Sequence, residues 1–113
     1  IITRFISPDI ESTLKISLNY RHVTAAGRIH CTAGEQVRLD VTITQETTGA
    51  QATGHSQHFC TGEVQTWTAK AVARGATVFE LGAAEACAIA VTRLHGKVTD
   101  AFSWCRTVTL VPK

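Results

Sequence analysis

The chain has 113 residues, of which 44% are hydrophobic and 18% charged, with a net charge of +2. That length suits a single domain, and so much apolar material with so little charge excludes a disordered chain. The basic residues are scattered from Arg4 to Arg106 without a run or stripe, so the clustered cations that phosphate binding needs are missing and no nucleic-acid partner is expected. No segment approaches the roughly 20 continuous apolar residues of a membrane span, so the domain is read as soluble, with no membrane partner.

The chain opens with Ile1-Ile2-Thr3-Arg4-Phe5-Ile6, an apolar, β-prone segment ended by Ser7-Pro8-Asp9. Residues 1–11 read as an amino-terminal extension or edge strand of one domain spanning 1–113. Such a segment can complete this domain's own sheet or add a strand to a neighbour's open edge, and pairing within the chain is the plainer expectation. Period-two alternation then dominates: Leu14, Ile16, Leu18 and Tyr20 face one side, followed by Val37, Leu39, Val41 and Ile43 interleaved with Arg38, Asp40, Thr42 and Thr44. Alternation of this kind belongs to strands with one buried and one wet face. Turn residues such as Gly34, Gly49, Gly62, Gly75 and Gly96 separate the runs. The expected strands are 1–6, 12–22, 25–31, 36–46, 51–60, 64–73, 77–80, 84–94 and 101–111, and the expected fold is an all-β antiparallel sandwich.

Gly82 to Leu94 is rich in Ala, the best helix former, but its period is that of a strand. Ala84, Ala86, Ala88 and Ala90 share one face, with Cys87, Ile89 and Val91 on the other. Paired with the last strand across His95-Gly96, the small Ala face is expected to receive Phe102 and Trp104. In that register Cys87 and Cys105 are neighbours on the opposite face, within the Cα separation of about 4.4–6.8 Å that a disulfide needs. Cys31 and Cys60 then pair by elimination, although four cysteines allow three connectivities. An even cysteine count without a Cys-x-x-Cys motif points to two disulfides and an oxidising compartment. Secretion is therefore expected, with any leader removed or lying outside this sequence.

The runs "GRIHCTAGEQVRLDVTITQ", "FCTGEVQTW" and "FELGAAEACAIAV" resemble a group of small secreted actinobacterial proteins of unknown function. They share a Cys-x-x-Gly lead into a Val-rich strand, a Cys-Thr-Gly followed by Trp, and a Gly-led Ala strand. The resemblance covers residues 25–111 and implies an immunoglobulin-like sandwich with no particular activity.

Candidate chemistry is sparse. His55, His58 and Cys60 in "GHSQHFC" offer zinc-type donors, but on a strand the two histidines point to opposite faces and Cys60 is assigned to a disulfide, so no metal or other cofactor is expected. No Gly-x-Ser-x-Gly elbow, paired carboxylates or phosphate-binding loop is present, and the chain is not expected to be an enzyme. Ile89 and Val91, outside a buried Ala face, form with Ile1, Ile2 and Phe5 a candidate interaction surface, weighed against burial of both strand faces. The expected function is a non-catalytic extracellular module that binds another protein, itself or an extracellular complex. Alternatives are an enzyme inhibitor using Gln45 to His58 as a braced insert, or a small-ligand carrier with a cleft near Trp67 or Trp104, two side chains better explained as core.

Overall fold

The structure, a computed structural model, describes residues 10–17 and 19–112. The expected strand 1–6, with Ile1, Ile2 and Phe5, lies outside the described residues. Seven strands follow in chain order: β1 (Thr13–Ile16), β2 (His22–His30), β3 (Gln36–Thr44), β4 (Gln51–Phe59), β5 (Val64–Ala73), β6 (Gly82–Leu94) and β7 (Lys97–Pro112). Alternation sets their faces as the sequence implied: Val37, Leu39, Val41 and Ile43 of β3 and the four alanines of β6 are buried, with Arg38 and Asp40 exposed between the former.

The strands run β1-β2-β5-β4-β3-β6-β7 and close into a barrel. This corrects the expectation of an immunoglobulin-like sandwich. Two short seams join what would otherwise be separate sheets. At one, β1 pairs antiparallel with β2 through Lys15↔Thr24 and Ile16↔Val23, and parallel with β7 from Thr13↔Thr109 to Ile16↔Pro112. At the other, β4 meets β5 through Ala52↔Ala73 and Thr53↔Val72. Alternation reports which face a residue occupies and carries nothing about which strand lies beside it, so the period that identified the strands could not reveal the closure.

Two expected strands are changed. The run 12–22 shortens to β1 because the chain turns after Ile16: Tyr20 N–H donates to Ser17 O (2.9 Å), Ser17 N–H to His22 O (2.9 Å), and Tyr20 takes φ 58°. Tyr20 accordingly stands exposed. Segment 77–80 forms no strand. It is a loop pinned by Gln45, whose Nε2 donates to Glu80 O (2.9 Å) and Ala83 O (3.2 Å), while its Oε1 accepts from Glu80 N–H (2.8 Å) and Thr48 Oγ1 (3.0 Å). All of the buried amide's strongest bonding capacity is thus used, and the loop delivers Phe79 to the core. Trp67 and Phe79 are the bulkiest fully buried side chains, and the alanine faces of β5 and β6 leave a narrow barrel room for such rings.

Gly54 marks the weak seam between β4 and β5. A Cβ there would lie 2.3 Å from Lys70 O and 2.9 Å from Ala71 Cα, both backbone atoms that can move only if the strands part. Gly54→Ala should therefore lose about 1–3 kcal/mol, a fall in Tm of roughly 5–20 °C. Thr53→Ala on the outer face should stay within about 0.5 kcal/mol of the parent. Thermal unfolding of the two variants checks this, and equal melting would show that the seam tolerates separation.

Candidate interaction surface

The unusual strand is β7. Along one side it pairs with β6 from Leu94↔Lys97 to Gly82↔Leu110, with an irregularity at Thr92/Arg93. Along the other side β1 reaches only Thr109 to Pro112. Thr109 N–H donates to Ser12 O across that seam (2.8 Å), and peptide groups two residues apart on a strand aim the same way. The N–H groups of Thr107, Cys105, Ser103 and Ala101 therefore point to the same edge. Asp100 Oδ1 accepts the one from Ala101 (2.9 Å). Those of Ser103, Cys105 and Thr107 face an edge with no strand partner among the described residues. Beside it, Arg106 Nη1 donates to the carbonyl of the fully buried Ile10 (2.8 Å), so the chain before β1 reaches the foot of this edge.

Apolar side chains surround the edge. Phe102 pairs with Ala90 and Trp104 with Ala88, the register expected from the sequence, and their rings stack at 5.8 Å with an interplanar angle of 28°. The expectation that both fill the core is corrected: Trp104 is only half-buried, and Phe102 is 47% exposed. They lie beyond the end of β1, where no further strand of the described chain covers them. On the outer face Ile89 is 52% exposed and Val91 half-buried, between Ala101 and Ser103 of β7 and Arg38 and Asp40 of β3. Arg38 Nε and Asp40 Oδ2 form an exposed ion pair at 3.2 Å.

Both expected disulfides are present. Cys31–Cys60 has a Cα separation of 5.4 Å, and Cys87–Cys105, directly opposed across β6 and β7, has 4.0 Å, tighter than the expected range. The second bridge belongs to a pair whose Cys105 N–H points away from β6, the kind of opposed pair in which strands approach most closely. Cys60 is consequently no metal ligand, and His55 points outward while His58 points inward, so the zinc-type set is not assembled. Glu85, Cys87 and Cys105 also cluster. Their sulfurs are bonded to each other, and a bridged sulfur has no proton to donate, so the 3.6 Å approach of Cys87 Sγ to Glu85 Oε1 is a van der Waals contact. Glu85 and Glu46, both exposed, line an open cleft of about 340 Å³ with Thr44, Thr47, Ala83, Ala84 and Thr107. Gln45 to His58, considered as a braced insert, is a turn followed by β4 within the barrel wall.

Sequence reasoning missed the polar residues of the interior. Glu35 is fully buried, and its Oε2 accepts from the Thr99 hydroxyl, which lies 2.9 Å from the buried Thr92 hydroxyl. Glu35 Oε1, His58 Nε2 and the indole N–H groups of Trp67 and Trp104 are buried without a partner. Glu35 follows Gly34 at a turn and reads as surface; only the β6–β7 irregularity, which brings Thr99 inward, gives it a partner.

No protein-family model matches the chain, and no curated protein is detectably similar to it. The resemblance to secreted actinobacterial proteins therefore rests on the residues that carry it and nothing further.

Desolvation by burial lowers the pKa of His58 from its ordinary value of 6.5. Above about pH 6.5 the imidazole is neutral folded and unfolded alike, and stability is full. As the pH falls below that, the unfolded chain takes up the proton first, so stability declines until the folded pKa is passed. Chemical denaturation at pH 7.5 and pH 5 should show a smaller acid loss for His58→Gln than for the parent; parallel profiles would remove His58 as a contributor.

Proposed function

We propose that the domain is a non-catalytic, secreted protein-binding module, an adaptor, adhesion or assembly subunit of an extracellular complex. The carrying observation is the edge of β7 at Ser103, Cys105 and Thr107, which has no strand partner among the described residues and is flanked by exposed Phe102 and Ile89. Unsatisfied strand edges are templates for another chain, because each added residue pair gains main-chain hydrogen bonds while flanking side chains set specificity. Apolar side chains around such an edge contribute the burial that hydrogen bonds alone do not. Export is supported by the two disulfides, which persist where thiols are not kept reduced. The same bridges hold β6 to β7 and the end of β2 to the end of β4, so the surface is ordered before a partner arrives, which lowers the entropic cost of binding.

The test is association of the oxidised protein, with itself by light scattering and with proteins of the conditioned medium by cross-linking. Ile89→Asp and Phe102→Asp should each weaken it by at least about tenfold, some 1.4 kcal/mol, with both disulfides and cooperative melting retained. Association untouched by both substitutions would move the binding surface elsewhere.

A further inference from the structure

We infer that the β7 edge is filled by the amino-terminal segment Ile1–Ile6 of a second copy of this chain, so that copies join head to tail by strand addition. The inference rests on the protein-binding reading and names the partner. Three observations carry it. The edge offers the N–H groups of Ser103, Cys105 and Thr107 in a row, and Asp100 Oδ1 occupies that of Ala101, which sets where pairing stops. Nine residues precede Ile10 in this sequence, and six of them, Ile1 to Ile6, are apolar or β-branched except for Arg4. Extended, they span about 20 Å, the reach of a strand that can cover this stretch of edge. Ile10 itself is held at the foot of the edge by Arg106, so the described chain begins beside the docking site.

Pro8 decides between a chain's own edge and another's. Continued backwards, the β1–β7 register sets Pro8 opposite Trp104, in the middle of the open stretch. There it has no N–H for the ladder, and it restricts Ser7 before it. A segment docked on its own barrel would carry that break within the pairing. Docked on a second copy, Ile1–Ile6 pairs without interruption, and Ser7-Pro8-Asp9 becomes the turn between two barrels. The contact joins different surfaces of the two copies, so it closes where two copies exchange segments or where a ring completes, and otherwise propagates. Ile2 and Ile6 fall on one face of the added strand and Phe5 on the other, where the exposed Phe102 and Ile89 stand on the two faces of the accepting wall.

The experiment uses the full oxidised chain. Light scattering across a concentration series should give a weight-average mass rising from the 12.2 kDa of one copy. The full-length variant Ile2→Asp, Phe5→Asp, Ile6→Asp should remain at one copy, and a fluorescent synthetic peptide of the Ile1–Ser7 sequence should bind it. Adding Ser103→Pro, which removes an edge N–H not used by β6, should cut that binding at least about tenfold; Phe102→Asp serves the same purpose should the proline prevent folding. A parent chain that stays at one copy throughout, while its charged variant binds the peptide, overturns the inference in favour of a segment lying on its own barrel. A peptide that fails to bind, while Ile89→Asp and Phe102→Asp still weaken association, overturns it and leaves the protein-binding reading standing.

Discussion

One of the two seams that close the wall depends on four residues. Thr13–Ile16 bond to β2 on one side and to β7 on the other, and each inward residue of this short strand, Leu14 and Ile16, is buried. Its brevity has two consequences. It is long enough to seal one end of the barrel, with Leu110 buried on the paired part of β7 and Val108 buried just before it. It is too short to cover the remainder of β7, and the side chains above the seam pass from buried to exposed at Phe102. The core and the candidate surface are thus two ends of one strand, separated by where β1 stops.

The interior holds the buried carboxyl group of Glu35 and the half-buried imidazole of His58 in a barrel otherwise lined by apolar residues together with Gln45 and Thr92. Buried polar atoms without partners cost stability, because water is lost and nothing replaces it. Here they sit toward the end of the barrel where β4 and β5 separate beyond Thr53↔Val72, while the opposite end is closed by the fully bonded Gln45. Polar side chains are concentrated where the strand ladder is incomplete.

The disulfides reinforce the parts of the wall that hydrogen bonds leave exposed. Cys87–Cys105 locks the hairpin whose outer strand is only partly paired among the described residues, and Cys31–Cys60 ties together the loops at the ends of β2 and β4. Backbone bonds from Cys60 N–H to Glu35 O (2.8 Å) and from Gly62 N–H to Cys31 O (3.1 Å) surround the second bridge. A free edge held rigid is better suited to accepting a strand than one that frays, since less order must be imposed on docking.

Residue types and their period determined six of the seven described strands to within a few residues, the buried alanine face of β6 and its register against β7 with Cys87 opposite Cys105, because these depend on neighbours in sequence and on hairpin pairing, while Cys31–Cys60 followed only by elimination among three connectivities. β1 was legible as a strand but not in its length, since the turn at Ser17–Tyr20 depends on a positive φ at a tyrosine that no pattern advertises. The outward placement of Ile89 followed from alternation, while the exposure of Phe102 did not: an aromatic opposite an alanine reads as core wherever a further strand covers it. Closure into a barrel, the stretch of β7 left without a strand partner among the described residues and the partnering of Glu35 by Thr99 were decided only in the tertiary structure. Each is set by which distant strands lie side by side, and alternation, which fixes the face a residue occupies, is the same whichever neighbour the strand acquires.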